Sequence, residues 1–206
     1  NRQLRLGAMV SSGASIAWLD QNIFKGHTPI PELMSGAEKV EAGSAGLVFL
    51  PYMMGERSPI WNSNARGVFY GLSLSTTPEI MFRAALEGTA FAMRHNVLAA
   101  RESGIKVELI RSLGGGTKNN LWNQIKADVL GIPVVTIKES SGAALGCAYL
   151  AGHGLGVFKD IYEPLTKNLK VDQEFIPNSK NQRIYEEQYE VYRNIYESTK
   201  SDFDKL

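Results

Sequence analysis

Leu113-Gly114-Gly115-Gly116-Thr117-Lys118-Asn119-Asn120-Leu121-Trp122 is the stretch on which the fold turns. Before it, Val107–Leu113 is an apolar-rich run suited to a strand. After it, Leu121, Trp122, Ile125 and Val129 recur at helical spacing until Gly131, and Pro133–Ile137 is again strand-like. Strand, glycine turn, helix, strand is the repeating unit of α/β proteins. Working upstream, Thr77-Pro78-Glu79 offers a capping hydroxyl, a first-turn proline and an early carboxylate. These predict a helix from there to Glu102, ended by Ser103-Gly104. Residues 46–50 predict a buried strand, Gly67–Leu72 a short strand, and Pro51–Arg66 a long irregular connection. Leu6–Phe24 reads as a helix interrupted by Ser11-Ser12-Gly13-Ala14, ended by Gly26 and barred from continuing by Pro29 and Pro31. Downstream, Ser141–Leu155 predicts an Ala/Gly-rich helix. Asn178 to about Phe203 predicts a polar helix with Tyr185, Tyr189, Tyr192 and Tyr196 on one packing face. No internal repeat or linker divides the chain, so residues 1–206 are expected to form one α/β domain.

Composition narrows the function. The 206 residues are 44% hydrophobic and 21% charged, with a formal net charge of +1, the balance of an ordinary globular domain. That balance gives no electrostatic reason to expect nucleic acid or an anionic membrane as partner. Apolar runs are far shorter than the roughly 20 residues a membrane span needs. One cysteine, Cys147, allows no internal disulfide, and a cytoplasmic setting is expected. Cys147 lies among Ala, Gly and Leu and is expected in the core. The first residue is Asn1 and not Met, which suggests a piece of a longer chain.

Three groups of residues invite chemistry. Gly114, Gly115 and Gly116 open a helix, where glycines permit close backbone approach to a ligand and free N–H groups face it. Asn119 and Asn120 add hydrogen-bonding side chains. The same letters also suit a turn required only for tight strand-to-helix packing. A phosphate loop of the Gly-Lys-Ser/Thr kind is excluded, because Asn119 follows Lys118. A dinucleotide fingerprint is nearly met by Gly114 and Gly116, with Glu139 placed as a ribose acceptor, so a dinucleotide-binding module stays open. The second group is the loop Gly55–Gly67, long enough to be functional, or else a surface loop in which Glu56 pairs with Arg57 or Arg66. The third, Arg83 and Glu87, is expected to be a surface or interface ion pair one helical turn apart. His27, His95 and His153 lack the spacing of metal ligands, and no metal site is expected.

Four blocks in order resemble the FGGY carbohydrate kinases, and the likeness runs from about residue 6 to residue 200. They are Ser11-Ser12-Gly13-Ala14-Ser15-Ile16-Ala17-Trp18-Leu19, the run Leu50–Pro59 continuing to Asn64-Ala65-Arg66-Gly67, Gly71–Leu74 with Arg83–Gly88, and Leu113–Trp122 with Ala127-Asp128. The resemblance implies an actin-like ATPase (ribonuclease H-like) α/β architecture, of which this chain would be the C-terminal, nucleotide-side domain, its N-terminal domain being absent. It implies ATP and Mg2+ as cofactors, an adenosine pocket at Gly114, Gly115, Gly116, Thr117 and Asn119 with Asn120 as the alternative, and Gly13 near the nucleotide phosphates. It puts the general base, most sugar contacts and the phosphate loops in the N-terminal half. No catalytic residue is therefore expected here, and the fragment alone would not transfer phosphate. Gly55-Glu56-Arg57-Ser58-Pro59 is spelled as in members that phosphorylate D-xylulose, apart from Ser58 where Thr is usual. Trp61-Asn62 is similar to gluconate kinases, which keeps that substrate open. Ala17 stands where glycerol kinases have a glutamine and argues against glycerol. Many members are dimers, so a homodimer is one expectation, and a non-catalytic actin-like domain is the last alternative.

Overall fold

The computed structural model describes residues 5–25, 28–138, 142–162, 164–165 and 170–206. Its elements in chain order are α1 Gly13–Trp18, continued by a wider π turn over Leu19–Ile23, α2 Ile30–Lys39, β1 Val48–Leu50, β2 Val68–Tyr70, α3 Pro78–Glu102, β3 Ile110–Ser112, α4 Asn120–Leu130, β4 Val134–Ile137, α5 Gly142–Gly154, β5 Val171–Phe175 and α6 Ser179–Phe203. β1 and β2 pair antiparallel, Phe49 opposite Phe69. β3 and β4 pair parallel, Ile110 opposite Val134, and β5 joins β4 antiparallel. β3, α4 and β4 thus form the strand–helix–parallel strand unit read from the glycine stretch.

α3 is the spine. The Thr77 hydroxyl accepts from the Ile80 N–H at its start, and Phe82 through Ala92 are all buried. A helix buried all round needs small residues wherever another element crosses closely. Gly88 is such a place, because a Cβ there would collide with the Phe49 carbonyl oxygen of β1. α6 covers the other side with Tyr185, Tyr189 and Tyr192 packed against Phe91. The tyrosine stripe is a packing face, and the Tyr52 and Tyr192 hydroxyls meet at 2.6 Å within it. A smaller core of Ala127, Val134 and Phe175, with Ile110 against it, lies between α4 and the β3–β4–β5 sheet.

The structure corrects several expectations. Residues 6–12 are not helical. The Ala8 carbonyl accepts from the Ser58 N–H and the Val10 N–H donates to the Glu56 carboxylate, so these backbone groups bond across the fold in place of a helical ladder. Arg83 and Glu87 do pair, at 2.8 Å, but in the interior: both are buried, 5% and 1% exposed. Cys147 is exposed and not a core residue, because Tyr149 is the buried residue of the described α5. α2 and β5 were not anticipated. The helix stop at Gly26, the start at Ser141, and His27 and Glu139 lie outside the described residues. Among the described residues no helix is long and apolar enough to cross a membrane.

Candidate functional site

β3 delivers the chain to the glycine turn. Gly114 adopts φ +90°, a left-handed conformation that favours glycine. Gly115–Lys118 then make one 3-10 turn, and α4 begins at Asn120. The turn is fastened by its own side chains. Thr117 donates its hydroxyl to the Gly114 carbonyl at 2.7 Å, and Asn123 donates to the Thr117 carbonyl at 2.8 Å. Asn119 caps α4, its Oδ1 accepting from the Trp122 N–H at 2.7 Å, while its amide nitrogen points at the Met34 sulfur. Thr117 and Asn119 therefore shape the loop, and Asn120 stands exposed on the first turn of α4.

Opposite the turn lies the start of α1. Gly13, Gly115, Gly116, Ser112, Trp122 and Lys126 all line one open cleft of about 650 Å3. The four glycines assigned by sequence are not alike. Gly114 is required by its backbone angle, and Gly116 by the Trp122 ring, which a Cβ would meet at 2.9 Å. A Cβ on Gly13 or Gly115 would meet nothing within 4 Å, and neither has a left-handed φ. The packing explanation therefore holds for Gly116, whereas nothing in the chain's own fold demands glycine at 13 or 115.

The Gly55–Gly67 loop secures the same region from behind. Glu56 is buried at 4% exposure, yet pairs with neither Arg57 nor Arg66 through a guanidinium. Its Oε1 accepts instead from the Val10 N–H at 2.9 Å and the Arg57 N–H at 2.8 Å. Arg66 turns to the Ser63 and Ala65 carbonyls. Burial pushes the Glu56 carboxyl upward, opposed by those two amides. Glu56 thus acts as a clamp on the segment that leads into Ser12 and Gly13. In the same way Asp128, part of the fourth sequence block, accepts from Asn178 N–H, Gln124 and Asn181 and ties α4 to the start of α6.

Lys126 was not singled out by sequence. It is 7% exposed on the cleft wall, its ammonium 4.5 Å over the Trp122 ring, 3.4 Å from Asn123 Oδ1 and 3.5 Å from Ser112 Oγ. Its signal was a lysine inside an otherwise largely apolar helical run, Trp122–Leu130, and in the structure every residue of that run but Gln124 is buried. Burial lowers its pKa from 10.5 to about 8. The folded protein gives up this proton before the unfolded chain does, so the unfolded state binds more protons between those values. Stability should therefore rise as pH climbs from about 8 towards 10.5. In urea titrations across that range, Lys126→Met should remove the rise; a rise of equal size in the variant would refute this assignment.

With that geometry in place, comparison with known proteins identifies the chain. Residues 6–155 match the C-terminal domain of the FGGY family of carbohydrate kinases. The chain belongs to this family. A Staphylococcus epidermidis xylulose kinase is 35% identical over 195 residues, 95% of this chain but 39% of that protein. Two solved structures from Lactobacillus acidophilus, a xylulose kinase and a gluconate kinase, superpose with a TM-score of 0.88 at 31% and 30% identity, covering 97% of this chain and 40% of theirs. The architecture is therefore the actin-like ATPase α/β fold of FGGY kinases. Ala17 does not keep glycerol kinases out of this company: one from Pseudothermotoga lettingae is 36% identical over 192 residues, 91% of this chain and 37% of that protein. The chain thus spans about two fifths of the length of the FGGY relatives it matches.

Proposed function

We propose that this chain is the nucleotide-side, C-terminal domain of an ATP-dependent sugar kinase whose intact form phosphorylates the terminal hydroxyl of D-xylulose, giving D-xylulose 5-phosphate. The observation that carries the nucleotide part is the pair Gly13 and Gly115. Both face one cleft, and at both the space a side chain would take is open. Glycine there suits a ligand that approaches the backbone from outside the chain. Gly114, Gly116, Thr117 and Asn119 hold the turn in the shape that presents Gly115, and Asn120 is the exposed amide beside it.

ATP bound here supplies the phosphoryl group, and this chain's residues bind and orient the nucleotide. The family resemblance assigns the general base to the N-terminal half; wherever it lies, it must come within hydrogen-bond reach of the sugar hydroxyl. Among the described residues no three of His, Cys, Asp and Glu gather around a metal position. Mg2+ is assigned to the nucleotide phosphates and the N-terminal half, as the family resemblance implies. The sugar is assigned from the Gly55–Pro59 spelling and from relatives named xylulose kinase. Gluconate is the second reading, favoured by Trp61-Asn62 and by the gluconate kinase among the similar structures.

The test is coupled-assay turnover of the intact protein with ATP–Mg2+ and, in turn, D-xylulose, D-gluconate and glycerol. D-xylulose should give the highest kcat/KM. A higher value for gluconate would transfer the assignment to the second reading, and turnover of none of the three would refute both.

A further inference from the structure

We propose that the Lys126 ammonium is a phosphate-binding group of the cleft, pairing with the anionic part of the bound nucleotide. This rests on the nucleotide reading of the cleft given above. Three observations carry it. First, Lys126 is more than nine-tenths buried, yet no carboxylate among the described residues pairs with it. Buried ammonium groups without a counter-charge are costly, and ordinary packing places an acid beside them. Second, its two hydrogen-bond acceptors, Asn123 Oδ1 and Ser112 Oγ, sit at 3.4 and 3.5 Å, the long end of the range, for a group with three donors. Third, the cleft lining carries two cations, Arg111 and Lys126, and no acid. A wall of that charge, with the amine stacked on Trp122, is arranged for an anion. The lowered pKa of the amine agrees, since the negative charge of an arriving phosphate would favour the ammonium form that burial disfavours.

The adenosine part of ATP carries no charge, so the proposal separates phosphate from nucleoside. The experiment is isothermal titration of ATP–Mg2+ and of adenosine into the intact protein and its Lys126→Met variant, with thermal unfolding of both in the absence of nucleotide. Lys126→Met should weaken ATP roughly tenfold to a hundredfold, the worth of a charge-assisted hydrogen bond, and leave adenosine within about twofold. Nucleotide-free Tm should stay the same or rise, because an unpaired buried charge has been removed. Should Lys126→Met fail to fold, Lys126→Gln serves the same comparison. Unchanged ATP affinity, or equal loss for ATP and adenosine, would overturn the proposal. So would a sharp fall in nucleotide-free Tm, which would mean that the lysine pairs with a carboxylate elsewhere in the protein. Failure of the parent to bind ATP at all would instead overturn the nucleotide reading, and this proposal with it.

Discussion

Glu87→Ala should cost about 3–5 kcal/mol of folding free energy, the range found when one partner of a buried ion pair is removed. Its carboxylate is the hub of a buried network. Oε1 accepts from Arg83 Nε at 2.8 Å, from the Tyr185 hydroxyl at 2.8 Å and from the Gly43 N–H at 3.1 Å, while Oε2 accepts from Ser44 Oγ at 2.7 Å. Arg83 reaches on to the Ala37 carbonyl and the Tyr185 hydroxyl. The carboxylate thus joins α3, α6 and the turn before β1, and through Arg83 the pair also reaches α2. That turn is itself unusual, since Gly43, Ser44, Ala45 and Gly46 all have φ between 47° and 88°. Serine and alanine rarely adopt such angles; Glu87 anchors Gly43 and Ser44, and Gln188 donates to the Gly43 and Leu47 carbonyls on either side of the turn. Alanine would strand a buried guanidinium and release the turn together. Against a total stability of about 5–15 kcal/mol, urea denaturation should show a large fall in midpoint. A loss below about 1 kcal/mol would mean the network is not structural.

Gly13→Val and Gly115→Val should each lower kcat/KM for ATP in the intact protein by two orders of magnitude or more, with Tm almost unchanged. The combination is the informative part. A glycine held for backbone strain or packing loses stability when a side chain is added. These two have open space where a Cβ would go, so the fold should accept valine and the ligand should not. Gly116→Val provides the contrast, because the Trp122 ring already occupies the position and stability itself should fall. If Gly115→Val were as unstable as Gly116→Val, its glycine would be a packing residue and the distinction between them would fail.

How much of this was legible in the sequence follows from the range of each interaction. α3 and α6 could be read because their ends are local: Thr77 caps the N–H of Ile80, and Asn178 caps those of Lys180 and Asn181. The same is true of α4 between Asn119 and Gly131, the latter left-handed at φ +63°. α2 was missed because Pro29 and Pro31 read as breakers. Pro31 in fact sits in the first turn, where its missing N–H has no helical partner to lose. β5 was missed because Val171-Asp172-Gln173-Glu174 are all exposed and show no alternation; β4 alone makes them a strand. The charged pair Arg83 and Glu87 looks identical on a surface or in a core. What buries it comes from residues 43, 44 and 185, far away in the chain. Lys126 was overlooked for the same reason, and the glycine turn could be found but not sorted, since only neighbours in space separate Gly115 from Gly116.

The cleft between Gly13 and Gly115 is the proposed seat of the nucleotide. Isothermal titration of ATP–Mg2+ into the intact protein and its Gly115→Val variant tests it most directly. Saturable binding to the parent is expected, with its loss in a variant that unfolds at the same temperature. Binding that Gly115→Val leaves intact would place the nucleotide elsewhere and contradict this assignment.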